Sequence, residues 1–493
     1  MQDIKVVIGA NFGDEGKGLM TDYFAAGAAA AGRKTIVVCS NGGAQRGHTV
    51  TTPEGVRHVF HHFGSGTLAG ADTWLPSYFI VNPMIFMDEF GALAEEGAFR
   101  QDGLMNCFPG SDAASGKGGG ASGKGSGTGG NRLYGTFTER STGRIFMDPE
   151  CPVSTPYDMI TNQILEESRG DGRHGSCGIG IWETLLRDGK RLGELADMTD
   201  AAVYTYLKGN CRDYMQRRLA AAGINDIPEK WRDILNDEGL IENYIYDLRQ
   251  MSRHAELRRI EVLREYDRII FENGQGLLLD RCRREYGCNT TPSNTGFRNP
   301  AELIREYIHM VENVYDNRKK PYTADTAGNG RYVPKNLQND RKDVWREEHT
   351  AYSRRQGAEA LCRIDVEVCY VTRTYLTRHG AGRFDEECDK AAINETMQDL
   401  TNVPNPHQGT IRYGILDETA LLRRIREDYD SERLPAACRK RITLAVTHVN
   451  EAVSPVIRRG YYISDGETRA SVKSKGGRSG DSLRKDNIFH LCG

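Results

Sequence analysis

The sequence predicts an α/β fold, and two features of its first fifty residues carry that prediction. A short apolar run at 6–8 leads into a glycine-rich turn, and a helix-favouring stretch at 19–31 follows. A second apolar run at 35–39 ends in another glycine turn. This order is typical of a strand–helix–strand unit. Because open α/β sheets bind ligands at the carboxyl ends of their strands, both turns are candidates for a functional site.

The first turn has the composition of an anion-binding loop. Its three glycines let the backbone approach a ligand closely, and the following helix start points N–H groups at an anion. Lys17 adds a positive charge suited to a phosphate. Asp14 and Glu15 lie in the same turn, where a carboxylate repels phosphate unless it binds Mg²⁺ or moves a proton. The turn therefore predicts phosphate, metal and acid–base chemistry together, with an acidic helix cap as the simpler alternative.

The spacing of this turn excludes two common nucleotide motifs. A Walker A loop needs G-x-x-x-x-G-K-[ST], whereas Gly13 and Lys17 are too close together and Gly18 takes the place of the hydroxyl residue. A Rossmann G-x-G-x-x-G is also absent from this turn.

The composition excludes further classes of protein. The 493 residues carry 65 basic and 68 acidic side chains, which gives no field for nucleic acid or a membrane surface. Mean hydropathy is −0.57, and no apolar run approaches the roughly 18 residues of a spanning helix. The start of the chain lacks a signal-peptide pattern, and the twelve cysteines include no C-x-x-C pair. We therefore expect a cytoplasmic protein without a zinc site, with neither nucleic acid nor membrane as partner.

Two motifs near the N-terminus resemble the adenylosuccinate synthetase family. GDEGKG at 13–18 and GHT at 47–49 occur in the family's order and close to its spacing. The resemblance implies a P-loop-like nucleotide ligase, with one large α/β domain around a mostly parallel sheet. That domain would span 1–493, with a flexible Gly/Ser-rich insertion at 109–130 that is too poor in apolar residues to pack. The Gly/Lys/Arg/Ser-rich tail at 474–493 is expected to be mobile.

Later segments extend the resemblance. RIIFENGQG at 268–276 resembles Phe-Glu-Gly-Ala-Gln-Gly, whose glutamine in the family contacts the purine and the catalytic base; Gln275 takes that place. In NTTPSNT at 289–295, Thr291 falls on a threonine that helps to bind the substrate phosphate. HGSCGIG at 174–180 stands where the family grips that phosphate, with Ser176 as the best hydroxyl. Arg187 falls on an arginine that in the family reaches the neighbouring subunit's site, which implies a homodimer.

The resemblance implies a carbon–nitrogen ligase of purine biosynthesis. It would join L-aspartate to C6 of a 6-oxopurine monophosphate, IMP, driven by a nucleoside triphosphate through a 6-phosphoryl intermediate, with Mg²⁺ as cofactor. Asp14 is the expected general base, His48 would stabilise the transferring phosphoryl group, and Gln275 completes the catalytic set. Asp14 and the Gly47 carbonyl are the expected metal ligands.

The binding assignments implied by these motifs fall into three groups. The triphosphate is expected at Gly13, Glu15, Gly16, Lys17, Gly18, Gly47, His48, Thr49 and Asn450; the substrate nucleotide at Asp14, Gln45, Ser176, Arg187, Gln275 and Thr291; and aspartate at His407, Gln408, Thr410 and Arg412.

Two departures from the family leave alternatives open. The arginine-rich aspartate loop is NVPNPHQGTIRYGILD here, at 402–417, and Arg412 is its one remaining arginine, although a dicarboxylate favours bidentate arginine. The guanine-reading Thr-Lys-Leu-Asp is THVN at 447–450. Asn450 offers one acceptor and one donor group, which suits adenine as well as guanine. ATP or dATP therefore stands beside GTP as the phosphate donor.

Three functional hypotheses follow. The first is adenylosuccinate synthetase acting on IMP. The second is the viral relative that makes N6-succino-2-amino-2'-deoxyadenylate from dGMP, which the NP-x-QG-x-[IL]-R pattern at 405–412 favours and the presence of Asp14 disfavours. Gln45 also departs from the asparagine that the family usually has near the substrate. The third is a catalytically degenerate nucleotide-binding paralogue, motivated by the lost arginines and opposed by the intact Asp14, Lys17, His48 and Gln275.

Overall fold

A computed structural model describes residues 2–96, 143–319, 364–397 and 409–475 of the chain. The predicted insertion at 109–130 and the aspartate-loop residues His407 and Gln408 lie outside these ranges. Of the predicted mobile tail, Ser474 ends a strand and the Lys475 N–H donates to the Tyr461 carbonyl at 2.8 Å, while 476–493 lie outside. Within the described ranges, no helix combines the length and apolar character that a membrane span needs.

The strands of the described residues form one large sheet and three small ones. In chain order the strands are β1 Asp3–Gly9, β2 Thr35–Cys39, β3 Gly42–Gly43, β4 His48–Thr51, β5 Arg57–Phe60, β6 Asp72–Leu75, β7 Phe79–Ile80, β8 Ile145–Met147, β9 Ala255–Leu257, β10 Arg268–Gly276, β11 Ile364–Arg373, β12 Leu376–Arg378, β13 Glu387–Cys388, β14 Arg412–Gly414, β15 Cys438–Thr447, β16 Tyr462–Ser464 and β17 Val472–Ser474.

The large sheet has ten strands in the order β17-β16-β15-β11-β1-β10-β2-β6-β8-β9. All neighbouring pairs are parallel except the edge pair β16–β17. This confirms the predicted fold class. β1 lies between β10 and β11, strands that are more than 250 residues away in the sequence, so the first glycine turn opens at the middle of the sheet.

Helices cover both faces of this sheet. In chain order, the α-helices of the described residues are α1 Lys17–Ala30, α2 Pro83–Glu95, α3 Pro156–Ser168, α4 Ile181–Arg187, α5 Leu192–Asp197, α6 Asp200–Tyr206, α7 Arg212–Ala221, α8 Glu229–Asn236, α9 Gly239–His254, α10 Arg298–Lys319, α11 Lys390–Ile393 and α12 Glu418–Ser431.

The alternation of side chains along β1 explains the two cores. Ile4 and Val6 point to the face covered by α10 and α12, where they join a cluster that includes Leu421. Val7 points to the opposite face and packs with Met20 of α1. Since successive strand residues face opposite sides, a near-continuous apolar strand is what a sheet covered on both faces requires.

Most of the stretch 197–265 is helical. Pro228 precedes α8 and Gly239 begins α9, so each residue stands at a break between two helices. The exception is β9, whose three residues add the last parallel strand beside β8. Three residues of AEL carry too short an apolar signal to be recognised as a strand.

Candidate active site

The first turn joins β1 to α1 and is organised from within by the Glu15–Lys17 ion pair. Glu15 Oε1 accepts hydrogen bonds from the backbone N–H groups of Asn11 and Gly13 at 2.9 and 2.8 Å. Lys17 Nζ donates to Glu15 Oε2 at 2.9 Å, and both side chains are 2% exposed. The Glu15 carboxylate thus holds donors that a phosphate would use. The predicted phosphate contacts of Glu15 and Lys17 stay predictions.

The second turn packs directly on the start of α1. A Cβ atom at Gly18 would lie 2.8 Å from the Thr49 carbonyl oxygen and 3.3 Å from the His48 Cβ. Only glycine allows this approach, so the first and second predicted motifs meet at Gly18. The first N–H groups of α1 have no partner within the helix, which makes this junction suited to an anion.

His48 is held by a buried carboxylate on β10. Its Nδ1 lies 2.9 Å from Glu272 Oε1, and the side chains are 8% and 0% exposed. Burial lowers the pKa of His48, and nearby Arg46 and Lys17 add to this effect, which outweighs Glu272. Burial alone would raise the pKa of Glu272, but His48 and Arg46 hold it at about 2. His48 therefore donates from Nδ1 to an ionised carboxylate and keeps Nε2 for other contacts.

Asp14 is held by two residues from the far end of the chain. His379 Nε2 lies 2.8 Å from Asp14 Oδ2, and Arg373 Nε donates to the Asp14 carbonyl at 2.6 Å. Burial raises the pKa of Asp14, but the hydrogen bond and charge of His379, with Arg373 and Lys17, bring it below its ordinary value. The Asp14 side chain is 37% exposed. It is therefore an ionised, accessible carboxylate, as a general base must be.

Gln275 and Gln45 lie together beside Gly42. A Cβ atom at Gly42 would lie 3.3 Å from Gln275 Oε1 and 3.4 Å from Gln45 Nε2. Among the described residues, both polar atoms of Gln45 and Oε1 of Gln275 are buried without a hydrogen-bond partner. Buried amides normally find partners, so this pair of glutamines is equipped to receive a polar ligand.

Asn273 replaces a glycine of the family pattern and has a clear structural role. Its side-chain amide donates to the carbonyls of Thr295 and Gly296 at 2.8 and 2.7 Å. This ties the end of β10 to the loop that contains Thr291, so the departure is compatible with the motif's position.

The loops that contain Ser176 and Thr291 converge with the segment after β12. The Asn289 side-chain amide donates to the His174 carbonyl at 3.0 Å, which joins the two loops. A Cβ atom at Gly175 would lie 2.7 Å from the Ala381 N atom, so the first loop also packs on the residues that follow His379. Through these contacts the predicted phosphate loops reach the neighbourhood of Asp14.

The backbone of the Ser176 loop already has an anionic partner. Glu166 Oε2 accepts hydrogen bonds from the N–H groups of Gly175 and Ser176 at 3.0 and 3.3 Å, and Ser176 Oγ donates to Asn162 at 3.0 Å. Sequence reasoning missed Glu166. Glu166 is a helix carboxylate that is only 4% exposed. That burial is visible in the folded structure and not in the sequence.

Arg187 is engaged within its own chain. Its guanidinium contacts both oxygens of Asp158 at 2.8 and 2.9 Å, the Tyr206 hydroxyl at 2.6 Å and the Val153 carbonyl at 2.9 Å. Its side chain is 5% exposed. This arrangement does not favour the predicted reach into a neighbouring subunit, which stays a prediction.

Arg412 of the predicted aspartate site is also paired. Its Nε donates to Glu387 at 2.7 Å, its Nη2 forms a second, short contact with the same carboxylate, and its Nη1 donates to the Gly382 carbonyl at 2.9 Å. Thr410 is exposed. An aspartate ligand would have to exchange with Glu387 at this arginine, so the aspartate site stays a prediction.

The segment 447–450 lies against the first turn. Thr447 Oγ1 donates to the Glu15 carbonyl at 2.8 Å, and Asn450 is exposed beyond it. The segment 465–471 packs on the same region, because Arg469 contacts both oxygens of Asp22 in α1 at 3.0 Å. A nucleotide whose phosphates lie at the first turn could therefore place its base near Asn450.

The described residues are suited to bind Mg²⁺ together with nucleotide phosphates, rather than in a site made of protein ligands alone. No group of three or more His, Cys, Asp or Glu side chains that could hold a metal occurs within the described ranges. Mg²⁺ commonly takes one or two carboxylates and completes its shell with phosphate oxygens and water. The accessible Asp14 carboxylate meets that need, with the Gly47 carbonyl as the predicted second ligand.

Comparison with known proteins bears on this site. Residues 6–106, which include the first two turns, match the family model for adenylosuccinate synthetase. An adenylosuccinate synthetase of Alkaliphilus metalliredigens is 25% identical over 366 residues, which cover 72% of this chain and 71% of that protein. This chain is similar to the adenylosuccinate synthetases, at low sequence identity. The match confirms the predicted resemblance to these proteins.

Other adenylosuccinate synthetases match over shorter stretches. That of Acaryochloris marina is 27% identical over 282 residues, 56% of this chain and 50% of that protein. The chain thus spans about half the length of most curated relatives that it matches. The solved structure of fully ligated adenylosuccinate synthetase from Plasmodium falciparum covers 96% of this chain and 100% of its own, with a TM-score of 0.56 and 14% identity. That likeness confirms the fold.

Proposed function

We propose that this chain joins L-aspartate to C6 of a 6-oxopurine nucleoside monophosphate, IMP in the first instance, with hydrolysis of a nucleoside triphosphate. One observation carries the proposal. Asp14, Lys17, His48 and Gln275, which the resemblance makes catalytic or phosphate-binding, come from three separate segments and meet at the carboxyl edge of the central strands. That edge is where open α/β sheets bind ligands.

The first step requires a base, because a purine 6-oxygen is amide-like and a poor nucleophile. Asp14 is ionised and accessible, so it can take the N1 proton and shift electron density to O6. O6 then attacks the γ-phosphorus, and the nucleoside diphosphate leaves. The buried glutamine amides beside Gly42 supply donors and acceptors for the purine ring.

His48 stabilises the transferring phosphoryl group. Its Nδ1 is fixed on Glu272, so Nε2 is the atom that can face the nucleotide. The negative charge of a bound triphosphate favours protonation of the imidazole, which makes Nε2–H a donor to a phosphoryl oxygen. Asp14 and the Gly47 carbonyl would hold Mg²⁺, which would neutralise part of the phosphate charge.

The second step forms the C–N bond. The amine of aspartate attacks C6, and the O6-phosphoryl group leaves as inorganic phosphate. Four residues correspond to the family's aspartate loop. Thr410 and Arg412 lie within the described ranges, and His407 and Gln408 lie outside them. Because Arg412 is paired with Glu387, its use here requires that Glu387 gives way to the substrate carboxylate.

A second substrate pair is favoured by one specific observation. Asn450 presents one donor and one acceptor group where a guanine reader would present two acceptors. The changed 405–412 segment points the same way. dGMP with ATP or dATP, giving N6-succino-2-amino-2'-deoxyadenylate, is therefore the alternative reaction of the same machinery.

We also propose that the chain forms a homodimer through α4. Trp182 and Leu186 are 44% and 54% exposed and lie four positions apart, hence on one face of this helix. An exposed Trp–Leu pair on one helix face suits a second copy of the chain.

The test is a product assay by mass spectrometry. Purified protein with Mg²⁺ and L-aspartate receives IMP or dGMP, each with GTP, ATP or dATP. A succinylated product from IMP supports the main proposal, and a product from dGMP alone replaces it with the alternative. No product with any pair would overturn both and leave a binding-only protein.

Asp14→Asn is the matched control for this assay. The change keeps the size of the side chain and removes the base, so turnover is expected to vanish while triphosphate binding, measured by calorimetry, stays largely intact. Near-normal turnover in this variant would show that Asp14 is not the base.

A further inference from the structure

Both carboxylate oxygens of Glu272 are hydrogen-bonded, one to His48 and the other to Arg46 and Ser65. Oε1 contacts His48 Nδ1 at 2.9 Å, and Oε2 contacts Arg46 Nη2 at 3.3 Å and the Ser65 N–H at 3.2 Å. Arg46 and His48 are two residues apart in the second turn. They therefore hold the carboxylate between them, and His48 is the one that the proposed function places toward the nucleotide.

Arg46 is itself fixed in place. Its side chain is fully buried, and the same Nη2 atom donates to the Phe63 carbonyl at 2.9 Å. Its guanidinium also lies over the ring of Phe79, 5.7 Å from the centroid. These contacts leave the guanidinium little freedom, so its position sets the position of Glu272 Oε2.

Stability alone accounts poorly for a buried arginine at this place. Among the described residues, its Nε and Nη1 atoms have no partner with hydrogen-bond geometry. Burying a guanidinium with part of its donors unpaired is unfavourable. A local conflict of this kind is expected where function requires the group.

We propose that Arg46 is a positioning residue for catalysis: it fixes the Glu272 carboxylate, which in turn sets the ring orientation of His48 toward the γ-phosphate. Without the guanidinium, Oε2 keeps one donor, the Ser65 N–H, and the carboxylate can rotate about its last bond. His48 Nδ1 then loses its fixed acceptor, and Nε2 no longer has a defined direction. The effect on turnover rests on the proposed function, whereas the effect on the His48 ring does not.

Three variants test this inference. Arg46→Met keeps the length of the side chain and removes every donor. Arg46→Lys keeps the charge, but one ammonium cannot reproduce the planar fork. Lys5→Met is the matched control, because Lys5 and Glu367 form another buried ion pair, at 2.8 Å, away from the candidate site.

Two measurements are made on each variant: steady-state kinetics of the ligation, and the histidine ¹H–¹⁵N spectrum of the ligand-free protein, with the His48 signal assigned from His48→Gln. In wild type His48 is expected to carry its proton on Nδ1. Arg46→Met is expected to lower kcat about 100-fold with nucleotide KM little changed, and to mix the two ring tautomers. For Arg46→Lys we expect a kcat and a tautomer mixture between those of wild type and Arg46→Met. Lys5→Met is expected to lower the melting temperature while keeping wild-type kcat and spectrum.

The outcomes separate the inference from the proposed function. A wild-type His48 signal and kcat in Arg46→Lys, or in Arg46→Met where it folds, would overturn the positioning role. An equal loss of kcat in Lys5→Met would also overturn it, because the effect would then be general destabilisation. If wild type makes no product, the proposed ligation fails, and the His48 spectrum alone still decides whether Arg46 sets the ring.

Discussion

Backbone strain gathers at the candidate site. Among the described residues, four that are not glycine have positive φ: Asp14 at 60°, Gln275 at 54°, His448 at 57° and Asp188 at 45°. The first three lie in the turns that form the site. Such conformations cost of the order of 1 kcal/mol or more each and persist where the surroundings impose them. The strain is therefore independent support for function at these three positions.

Sequence reasoning identified the local motifs and missed their distant partners. Asp14 and His48 stand in recognisable glycine turns, so both could be found. His379 and Glu272 act on them from far along the chain; His48 and Glu272 are 224 positions apart. No local pattern encodes such a pairing. Glu272 did leave one signal, a carboxylate within an apolar strand, which predicts a buried partner.

The His379–Asp14 contact leads to a prediction about pH dependence. Since His379 helps to hold the pKa of Asp14 below its ordinary value, His379→Leu is expected to raise that pKa. The base is then protonated at a higher pH, so the acidic limb of the kcat/KM profile moves to higher pH. We also expect kcat to fall about tenfold, because Asp14 loses the contact that orients it. Steady-state rates between pH 4 and 8 measure this.

His379→Gln is the control for that variant, because its amide can still donate to Asp14. We expect it to keep most of kcat and to shift the acidic limb less. An unmoved limb and unchanged kcat in His379→Leu would show that the contact has no part in catalysis.

At the scale of elements, α1 offers a matched pair of glycines. A Cβ at Gly18 would lie 2.8 Å from the Thr49 carbonyl, whereas at Gly27 it would meet nothing within 4 Å. Gly18→Ala is therefore expected to push the two turns apart, lower stability by about 1–3 kcal/mol and reduce turnover. Gly27→Ala is expected to raise stability by about 0.5–1 kcal/mol and leave turnover unchanged. Urea unfolding and the ligation assay measure both; equal behaviour of the two variants would contradict the close approach.

The contact between α12 and the start of α10 leads to a prediction about stability. Asp428 accepts hydrogen bonds from the Phe297 N–H at 3.0 Å and from the Tyr370 hydroxyl at 2.7 Å, and burial raises its pKa to about 6. The folded state thus favours the protonated acid. Its contribution to stability is complete below the ordinary value of 3.8 and is lost as pH rises through about 6.

Asp428→Asn is expected to remove this dependence. Relative to the variant, wild type should lose about 1 kcal/mol of unfolding free energy between pH 4.5 and 7, less than the full shift implies because the side chain is not completely buried. Urea unfolding at both pH values measures the difference. Asp226→Asn, at an exposed position, is the control. An identical pH dependence in wild type and Asp428→Asn would contradict the raised pKa.

At the scale of the whole molecule, the sequence predicts the class of fold but not the order of the strands in the sheet. The glycine turns that follow β1, β2 and β10 place polar residues at one edge, which is a general property of parallel strands. The position of β1 between β10 and β11 could not be predicted. The apolar runs have similar compositions, and composition does not indicate which strands pair. The edge strand β9 and the Glu166 contact were missed for the same reason: each depends on distant packing.

The proposed dimer is tested at this scale. Leu186→Glu places a charge on the exposed face of α4, so we expect a dimer in wild type and a monomer in the variant by size-exclusion chromatography with light scattering. Tyr246→Glu is the control, since Tyr246 is 62% exposed on α9. A monomeric wild type, or an intact dimer in Leu186→Glu, would contradict an interface through α4.

The central claim is that the residues at the sheet edge transfer a phosphoryl group to the purine 6-oxygen before aspartate displaces it. The direct measurement uses the substrate nucleotide that forms product, labelled with ¹⁸O at C6, and follows the label by mass spectrometry. The account predicts one ¹⁸O atom in the inorganic phosphate for each succinylated nucleotide formed. Unlabelled phosphate alongside product, or phosphate without any succinylated product, would contradict it.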